Sequence, residues 1–344
     1  MKKWMGIDVG TSGVKAIVVD EDGTVLARGS ATYQADGHSD THEQDAGDYL
    51  DTVRRVVEQC EIAPDGIGVV GQTPSLVVVD ERGDALRPVV TWRDTRAQQE
   101  AADLRETLGA SIELFGVDNL WDVSQLPAKL LWLSRNDPAA LARARWLLQP
   151  KDYVGLALTG TAGTDAWSSK GLASVASKTP VSEVFAAAGA DARLLPPLRE
   201  PWAALGETAG DALGLAAGAT VAVGWTDALG GMLAIGAATH PLSFVLTGTS
   251  DIVGTSVRGS QAGIDGLYRV PDDCSPLAID YGPTQSSGAS LVWLSGITGR
   301  PVHELVKLAA TASDTDAVFL PYLRGERAPL WNPLLRASLT GVAE

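Results

Sequence analysis

The sequence predicts an α/β protein of two domains, and three observations carry that expectation. The first is the N-terminal stretch Gly6 to Asp20, where two β-branched apolar runs, Trp4 to Val9 and Val14 to Val19, flank Gly10-Thr11-Ser12-Gly13. Runs of that length and composition read as strands, and the glycines supply positive-φ positions for a tight turn. The second is a partial echo, Val245 to Val257, which repeats the plan of strand, Gly248-Thr249-Ser250 turn and second strand. The third is size: 344 residues, 45% of them hydrophobic, bury a sizeable core and exceed one typical domain.

Each Gly-Thr-Ser turn offers backbone N–H groups in a concavity with hydroxyls beside them, which suits the terminal phosphates of a nucleotide. Asp8 ends the first strand, where it can face a magnesium ion or its water shell. An ordinary hairpin with a surface aspartate has the same local pattern, since neither GxGxxG nor the Walker pattern is present. Two phosphate-sized turns in one chain suggest two similar domains closing on a nucleotide.

After a third strand, Val25 to Ser30, comes a polar segment from His38, then helical spacing from Asp48 to Cys60, with Asp45 or Asp48 as the cap. Gly66 to Val70 and Leu76 to Asp80 read as strands around Gly71-Gln72-Thr73-Pro74. Val89 to Trp92 reads as a strand leading into a helix, Thr95 to Leu108. Asp94 and Arg96 lie just past that strand's end, where α/β folds place ligands, although Asp94 as a helix cap and Arg96 on a solvated face remain open. Pro127 to Leu133, Pro138 to Leu148 and Pro150 to Gly160 read as helices. The strand Thr220 to Gly224 runs through Trp225-Thr226 into a small-residue helix, Ala228 to Ala238, with Asp227 at its N-terminus. That position favours the ionised carboxylate and predicts a lowered pKa. A glycine-opened helix at Gly288 and a strand, Val318 to Tyr322, complete the reading.

A net charge of −15 argues against nucleic acid or an anionic membrane surface as partner. Cys60 and Cys274 alone give no disulfide framework and fit a reducing cytoplasm. The histidines at 38, 42, 240 and 303 lack ligand spacing, so a protein-held zinc is not expected. No run approaches a membrane span.

Asp8-Val-Gly-Thr-Ser12, Trp92-Arg-Asp94 with Arg96, Gly224-Trp-Thr-Asp227, Gly248-Thr-Ser250 and Pro321-Tyr-Leu-Arg-Gly-Glu-Arg327 occur in the order of the FGGY carbohydrate kinases, and the chain most resembles the xylulokinase branch. The resemblance implies an actin-like, ribonuclease H-like architecture, with an N-terminal sugar-binding domain over 1–240 and a partial nucleotide-binding domain over 241–344. It implies ATP and Mg2+, with a small-molecule sugar and ATP as partners and a homodimer left open. It assigns Asp227 as catalytic base, Gln72, Asp94 and Arg96 to the sugar, Gly10, Thr11, Ser12, Lys15, Gly248, Thr249 and Ser250 to phosphate, and Asp8 to the metal. Lys151 and Asp165 are expected as capping or ion-pair residues, Glu326 and Arg327 as a structural pair. Thr73 and Pro74 depart from the branch's Met-His, which sets D-xylulose in doubt as substrate. The family continues beyond where this chain stops, into an adenine-binding segment. A non-catalytic sugar-binding remnant and a different ATPase of the same superfold are the alternative readings.

Overall fold

The computed structural model describes residues 1–33, 43–118, 120–259, 263–272, 274–312 and 316–342; His38 and His42 lie outside them. The chain divides into two compact units, Met1–Gly230 and Gly231–Glu344. The division falls at 230 rather than at the 240 of the resemblance, inside the helix that follows Asp227, so the whole site of the first unit precedes it.

In the first unit, strands β1 (Lys3–Val9), β2 (Gly13–Asp20) and β3 (Val25–Thr32) form an antiparallel meander. Buried Met5, Ile7, Val9, Val14, Ala16 and Val18 alternate with more exposed neighbours, the period-2 pattern of a sheet with one face on the core. Helix α1 (Ala46–Cys60) is capped by Asp45, whose carboxylate accepts from Gly47 N at 2.7 Å; it buries Tyr49, Val53, Val56, Val57 and Cys60. Strand β4 (Gly66–Gly71) runs parallel to β1. Helices α2 (Leu126–Asn136) and α3 (Pro150–Thr159) follow, and α3 shares one apolar core with α1 and the central strands through Tyr153, Val154 and Leu158. Strands β5 (Ala204–Glu207), β6 (Thr220–Ala222) and β7 (Trp225–Thr226) complete the sheet, in the order β5-β6-β4-β1-β2-β3 with β7 also on β4. Both β6 and β7 lie parallel to β4, and between them Gly224 has φ +82°, with a Cβ there falling 2.0 Å from Val69 O. Only glycine lets the chain pass so close to β4.

Three local readings are corrected. Gly10 and Gly13 are not in the positive-φ region; Gly13 is required because its Cβ would fall 2.3 Å from Ala31 O on β3. Residues Trp146–Leu148, expected as the end of a helix, form a strand on Val77–Val79, and the preceding helix stops at Arg143. The helix expected from Thr95 starts at Gln98 with Ala97 as a cap that makes no side-chain hydrogen bond, so Asp94 does not cap it.

The second unit opens with the end of helix α4 (Asp227–Ala234) and contains the antiparallel sheet β8 (Ser243–Leu246), β9 (Ile252–Val257), β10 (Tyr268–Val270) and β11 (Ala278–Pro283), ordered β8-β9-β11-β10. Helices α5 (Gly288–Thr298) and α6 (Val302–Thr311) follow, and neither has a buried residue.

Candidate active site

Strands β1, β4 and β7 run parallel and end together, so their C-terminal residues form one sheet edge. That is where open α/β sheets bind ligands. In register, Asp8 faces Val70, Val70 faces Trp225, and Thr226 faces Gly71. Asp8, Gln72 and Asp227 are thereby brought to one edge.

Asp8 Oδ1 is buried and has no hydrogen-bond partner among the described residues. Burial raises its pKa, and the charge of Lys15, its cross-strand neighbour on β2, pulls the other way. An orphaned carboxylate oxygen at a ligand edge suits a hydrated divalent cation, which keeps most of its water and takes one or two carboxylates.

Asp227 begins α4, and its Oδ1 accepts from Ala228 N at 2.7 Å. The lowered pKa expected from the helix N-terminus is not what the surroundings produce. Desolvation first, then repulsion from Asp8, pushes Asp227 up to about 7, against the opposing pull of Ala228 N–H and Lys170. The residue nonetheless keeps an exposed surface; it is crowded by protein yet reachable, and the upward direction stands because Asp8 and partial desolvation act in the same sense.

The turn 10–13 is narrower in its offer than its composition suggests. Gly10 N–H is spent on Gly13 O at 3.0 Å, leaving the Thr11 and Ser12 N–H groups without a partner among the described residues. Its carbonyls are clamped from behind: Tyr33 Oη donates to Gly10 O at 2.9 Å, Gln44 Nε2 to Thr11 O at 2.7 Å, and Tyr33 N to Ser12 O at 3.2 Å. Trp92 Nε1 donates to Thr11 Oγ1 at 3.0 Å. Clamped carbonyls hold the free N–H groups outward. In the second unit, Gly248 O and Thr249 O accept from the N–H groups of Gly288, Ser287 and Ala289, and Arg327 donates to Ser250 Oγ at 3.3 Å. The N–H groups of Gly248, Thr249 and Ser250 likewise find no partner among the described residues.

Gln72, assigned to the sugar by the resemblance, is 1% exposed and lies under the first turn. Its amide donates to Gln44 Oε1 at 2.9 Å and Tyr49 Oη at 3.0 Å, with Gly10 O at 3.4 Å, and its Oε1 is without a partner. Asp94 and Arg96 are brought together with each other. Arg96 Nε donates to both oxygens of Asp94 at 3.1 and 2.9 Å, and Arg96 Nη2 reaches Glu43 at 2.6 Å. Glu43 also takes Arg87 at 2.6 Å, and both guanidinium groups stack on Trp132. Asp94 is thus a braced, 3% exposed carboxylate.

Lys151, 0% exposed in its side chain, pairs with Asp152 at 2.5 Å and Asp165 at 3.1 Å, the ion pair expected of Lys151 and Asp165. Burial works against its charge, but the two carboxylates outweigh it and raise its pKa. Glu326 accepts from the N–H groups of Gln285 and Arg327, and Arg327 donates to Thr284 O at 2.5 Å.

Two lysines were not singled out by the sequence. Lys129, 1% exposed on α2, donates to Pro74 O at 2.6 Å; burial lowers its pKa to about 7 against the pull of Asp94 and Asp122. Its signal was present: it occupies the same helical stripe as Leu126, Leu130 and Leu133, a core-facing position unusual for lysine. Lys170, 4% exposed in the loop after α3, had no periodic signal. Among the described residues no helix is long and apolar enough to cross a membrane, and no cluster of three His, Cys, Asp or Glu could hold a metal.

A folded edge of this kind, with paired carboxylates beside a clamped Gly-Thr-Ser turn, belongs to the actin-like ATPase fold, and the matches are to sugar kinases of that fold. The N-terminal domain of the FGGY family of carbohydrate kinases matches residues 3–234, and the chain belongs to that family. It is 28% identical to a xylulose kinase of Lactococcus lactis subsp. lactis over 98% of its own length and 71% of that protein's, and 29% identical to one of Streptomyces coelicolor over 94% and 68%. A solved xyloylose kinase from Brucella ovis superimposes with a TM-score of 0.85 at 27% identity, covering 99% of this chain and 73% of that one. A gluconate kinase from Lactobacillus acidophilus shares the fold at a TM-score of 0.84 and 23% identity, with 99% and 73% covered. The protein is a phosphotransferase of the carbohydrate kinase class.

Proposed function

We propose that this protein transfers the γ-phosphoryl group of ATP to a hydroxyl of a pentulose or closely related sugar, with Asp227 as the base. The observation that carries this is the meeting of Asp8 and Asp227 at one strand edge, close enough to repel, beside a turn whose Thr11 and Ser12 N–H groups are free. The acceptor oxygen attacks the γ-phosphorus, the bond from that phosphorus to the β,γ-bridging oxygen breaks, ADP leaves, and the hydroxyl proton passes to an Asp227 carboxylate oxygen. Free N–H groups at the turn and the Lys15 ammonium stabilise phosphate oxygens as their charge redistributes. Asp8 would hold a magnesium ion through its water shell; when bound, that ion neutralises phosphate charge. Asp94, braced by Arg96, accepts from sugar hydroxyls on whichever lone pairs Arg96 leaves open. Gln72 supports the reaction from beneath the turn.

The relatives' names point to xylulose, but Thr73 and Pro74 stand in the loop whose carbonyl Lys129 holds. Neither side chain supplies the ring donor or thioether of the branch's Met-His. D-Xylulose is therefore expected not to be the best substrate in coupled ADP-release assays over pentuloses, hexuloses, aldonates and polyols. A clear preference for D-xylulose would refute this, and no turnover with any of them would refute the kinase reading itself.

The second unit leaves Val292 66%, Ile297 62%, Leu334 79% and Leu339 60% exposed. So much apolar surface is expected to drive self-association. Size-exclusion chromatography with light scattering should show a mass that rises with concentration; a concentration-independent monomer contradicts it.

A further inference from the structure

Glu43 and Gln44 form a two-residue strand antiparallel to Val89–Val90, with Glu43 opposite Val90 and Gln44 opposite Val89. Successive side chains of a strand point to opposite faces, and these two reach different halves of the site. A single oxygen, Glu43 Oε1, accepts from Arg87 Nη2 and from Arg96 Nη2, both at 2.6 Å. The two guanidinium carbons stand 5.1 and 4.4 Å from the centroid of the one Trp132 ring. Arg96 holds Asp94 as a fork, through Nε to both carboxylate oxygens and through Nη2 to Oδ2 at 2.5 Å, and Arg87 also lies 3.4 Å from Asp137. Gln44, the next residue, reaches the turn instead: its Nε2 donates to Thr11 O at 2.7 Å, and its Oε1 accepts from Tyr49 Oη at 2.5 Å and Gln72 Nε2 at 2.9 Å.

We infer that Glu43 is the positioning residue of the acceptor carboxylate Asp94, acting through Arg96. The inference rests on the reading of Asp94 as an acceptor ligand and adds what aims it. Two guanidinium groups on one indole carry like charge at short range, and Glu43 is the carboxylate that both share. Without that shared oxygen Arg96 shifts away from Arg87, and Asp94 follows, because the fork ties the two together. A fork fixes direction as well as distance, so the lone pairs of Asp94 that Arg96 leaves open keep one direction while Glu43 holds Nη2. The same strand clamps the phosphate turn through Gln44, so the acceptor pair and the turn are held by adjacent residues. Transfer requires the acceptor hydroxyl and the phosphorus to meet in one geometry, and a two-residue strand gripping both allows little relative movement.

The test is steady-state kinetics on the full chain by coupled ADP release, with D-xylulose and the best acceptor among pentuloses, hexuloses, aldonates and polyols as probes. Glu43→Gln keeps the size and removes the charge; it is expected to raise acceptor KM at least about tenfold, with kcat and MgATP KM within about threefold. Gln44→Met disturbs the same strand but not the fork, and its losses are expected in kcat and MgATP KM with acceptor KM within about threefold. An unchanged acceptor KM in Glu43→Gln overturns the inference, and so does an equal rise in both variants, which would make the effect a property of the strand. Added to Arg96→Met, Glu43→Gln is expected to raise acceptor KM by no more than about twofold further, since it acts through Arg96; effects that multiply overturn that route. If Glu43→Gln does not fold, Glu43→Asp, a carboxylate one methylene short of both guanidinium groups, takes its place with an expected rise of about fivefold, and a wild-type KM there overturns the inference. Asp94→Asn separates the two readings. A wild-type acceptor KM in it removes Asp94 from the acceptor, whereas a raised KM in Asp94→Asn with a wild-type KM in Glu43→Gln overturns this inference alone.

Discussion

Asp227→Asn is expected to reduce sugar-dependent ADP formation by about a thousandfold or more, while sugar affinity stays within about tenfold. The amide keeps the shape and the hydrogen bond from Ala228 N–H, but it cannot take the hydroxyl proton. Its neighbours sharpen the expectation. Desolvation and Asp8 raise the carboxyl towards neutrality, and a base with a raised pKa is a stronger proton acceptor than one at the ordinary carboxylate value. The sign of the pH dependence follows, since a base works only when deprotonated: activity is present above the raised pKa and is lost as pH falls through it. The wild-type rate should therefore climb as pH approaches neutrality from below. Turnover by Asp227→Asn within a few-fold of wild type, checked by coupled ADP release alongside calorimetric sugar titration, would remove Asp227 from the base role.

The parts of this site that the sequence made legible are those whose local pattern and chemistry coincide. The hairpin around Gly10 to Gly13 was readable as a hairpin because strand alternation on both sides fixes where the turn falls. The position of Asp227 at the start of a helix was readable because a strand, a small-residue helix and a carboxylate at their junction occur together, while its role came from the resemblance. Supporting groups were harder. Tyr33 and Gln44 clamp the turn and Tyr49 braces Gln44, each from a different part of the chain, and no spacing in the chain announces a contact made across the fold. Gln72 was given to the sugar by the resemblance of its loop, and its place beneath the turn, held by Gln44 and Tyr49, is set by contacts across the fold that the loop does not announce. Trp146–Leu148 was missed because three residues are too few to show a period, and the alanines before them extend the helical appearance. Lys170 carried no signal at all, because an irregular loop has no face on which a lysine looks out of place. The pKa of Asp227 was misjudged for the same reason: the helix N-terminus is visible in sequence, whereas Asp8 becomes its neighbour only when β1, β4 and β7 line up.

Gly224→Ala is expected to destabilise the first unit by more than about 3 kcal/mol and to disable the site even where the chain still folds. Two penalties combine at that position. A side chain at φ +82° is strained, which costs on the order of 1–3 kcal/mol. The new Cβ would also meet Val69 O at 2.0 Å and Val69 C at 3.0 Å, and these are backbone atoms of β4 that cannot swing aside. Relief requires β7 to move off β4, and Asp227 follows immediately after β7, so the carboxylate would move away from Asp8 and the acceptor. Gly68→Ala on β4 is the matched control, because its Cβ would meet no atom within 4 Å and its φ is not in the positive region; it should change stability by no more than about 0.5 kcal/mol. Urea midpoints of the two variants, measured with the wild type, decide the matter. If Gly224→Ala unfolds where Gly68→Ala does, the close approach of residue 224 to β4 does not hold Asp227 in place, and the geometry of the base must come from elsewhere in the unit.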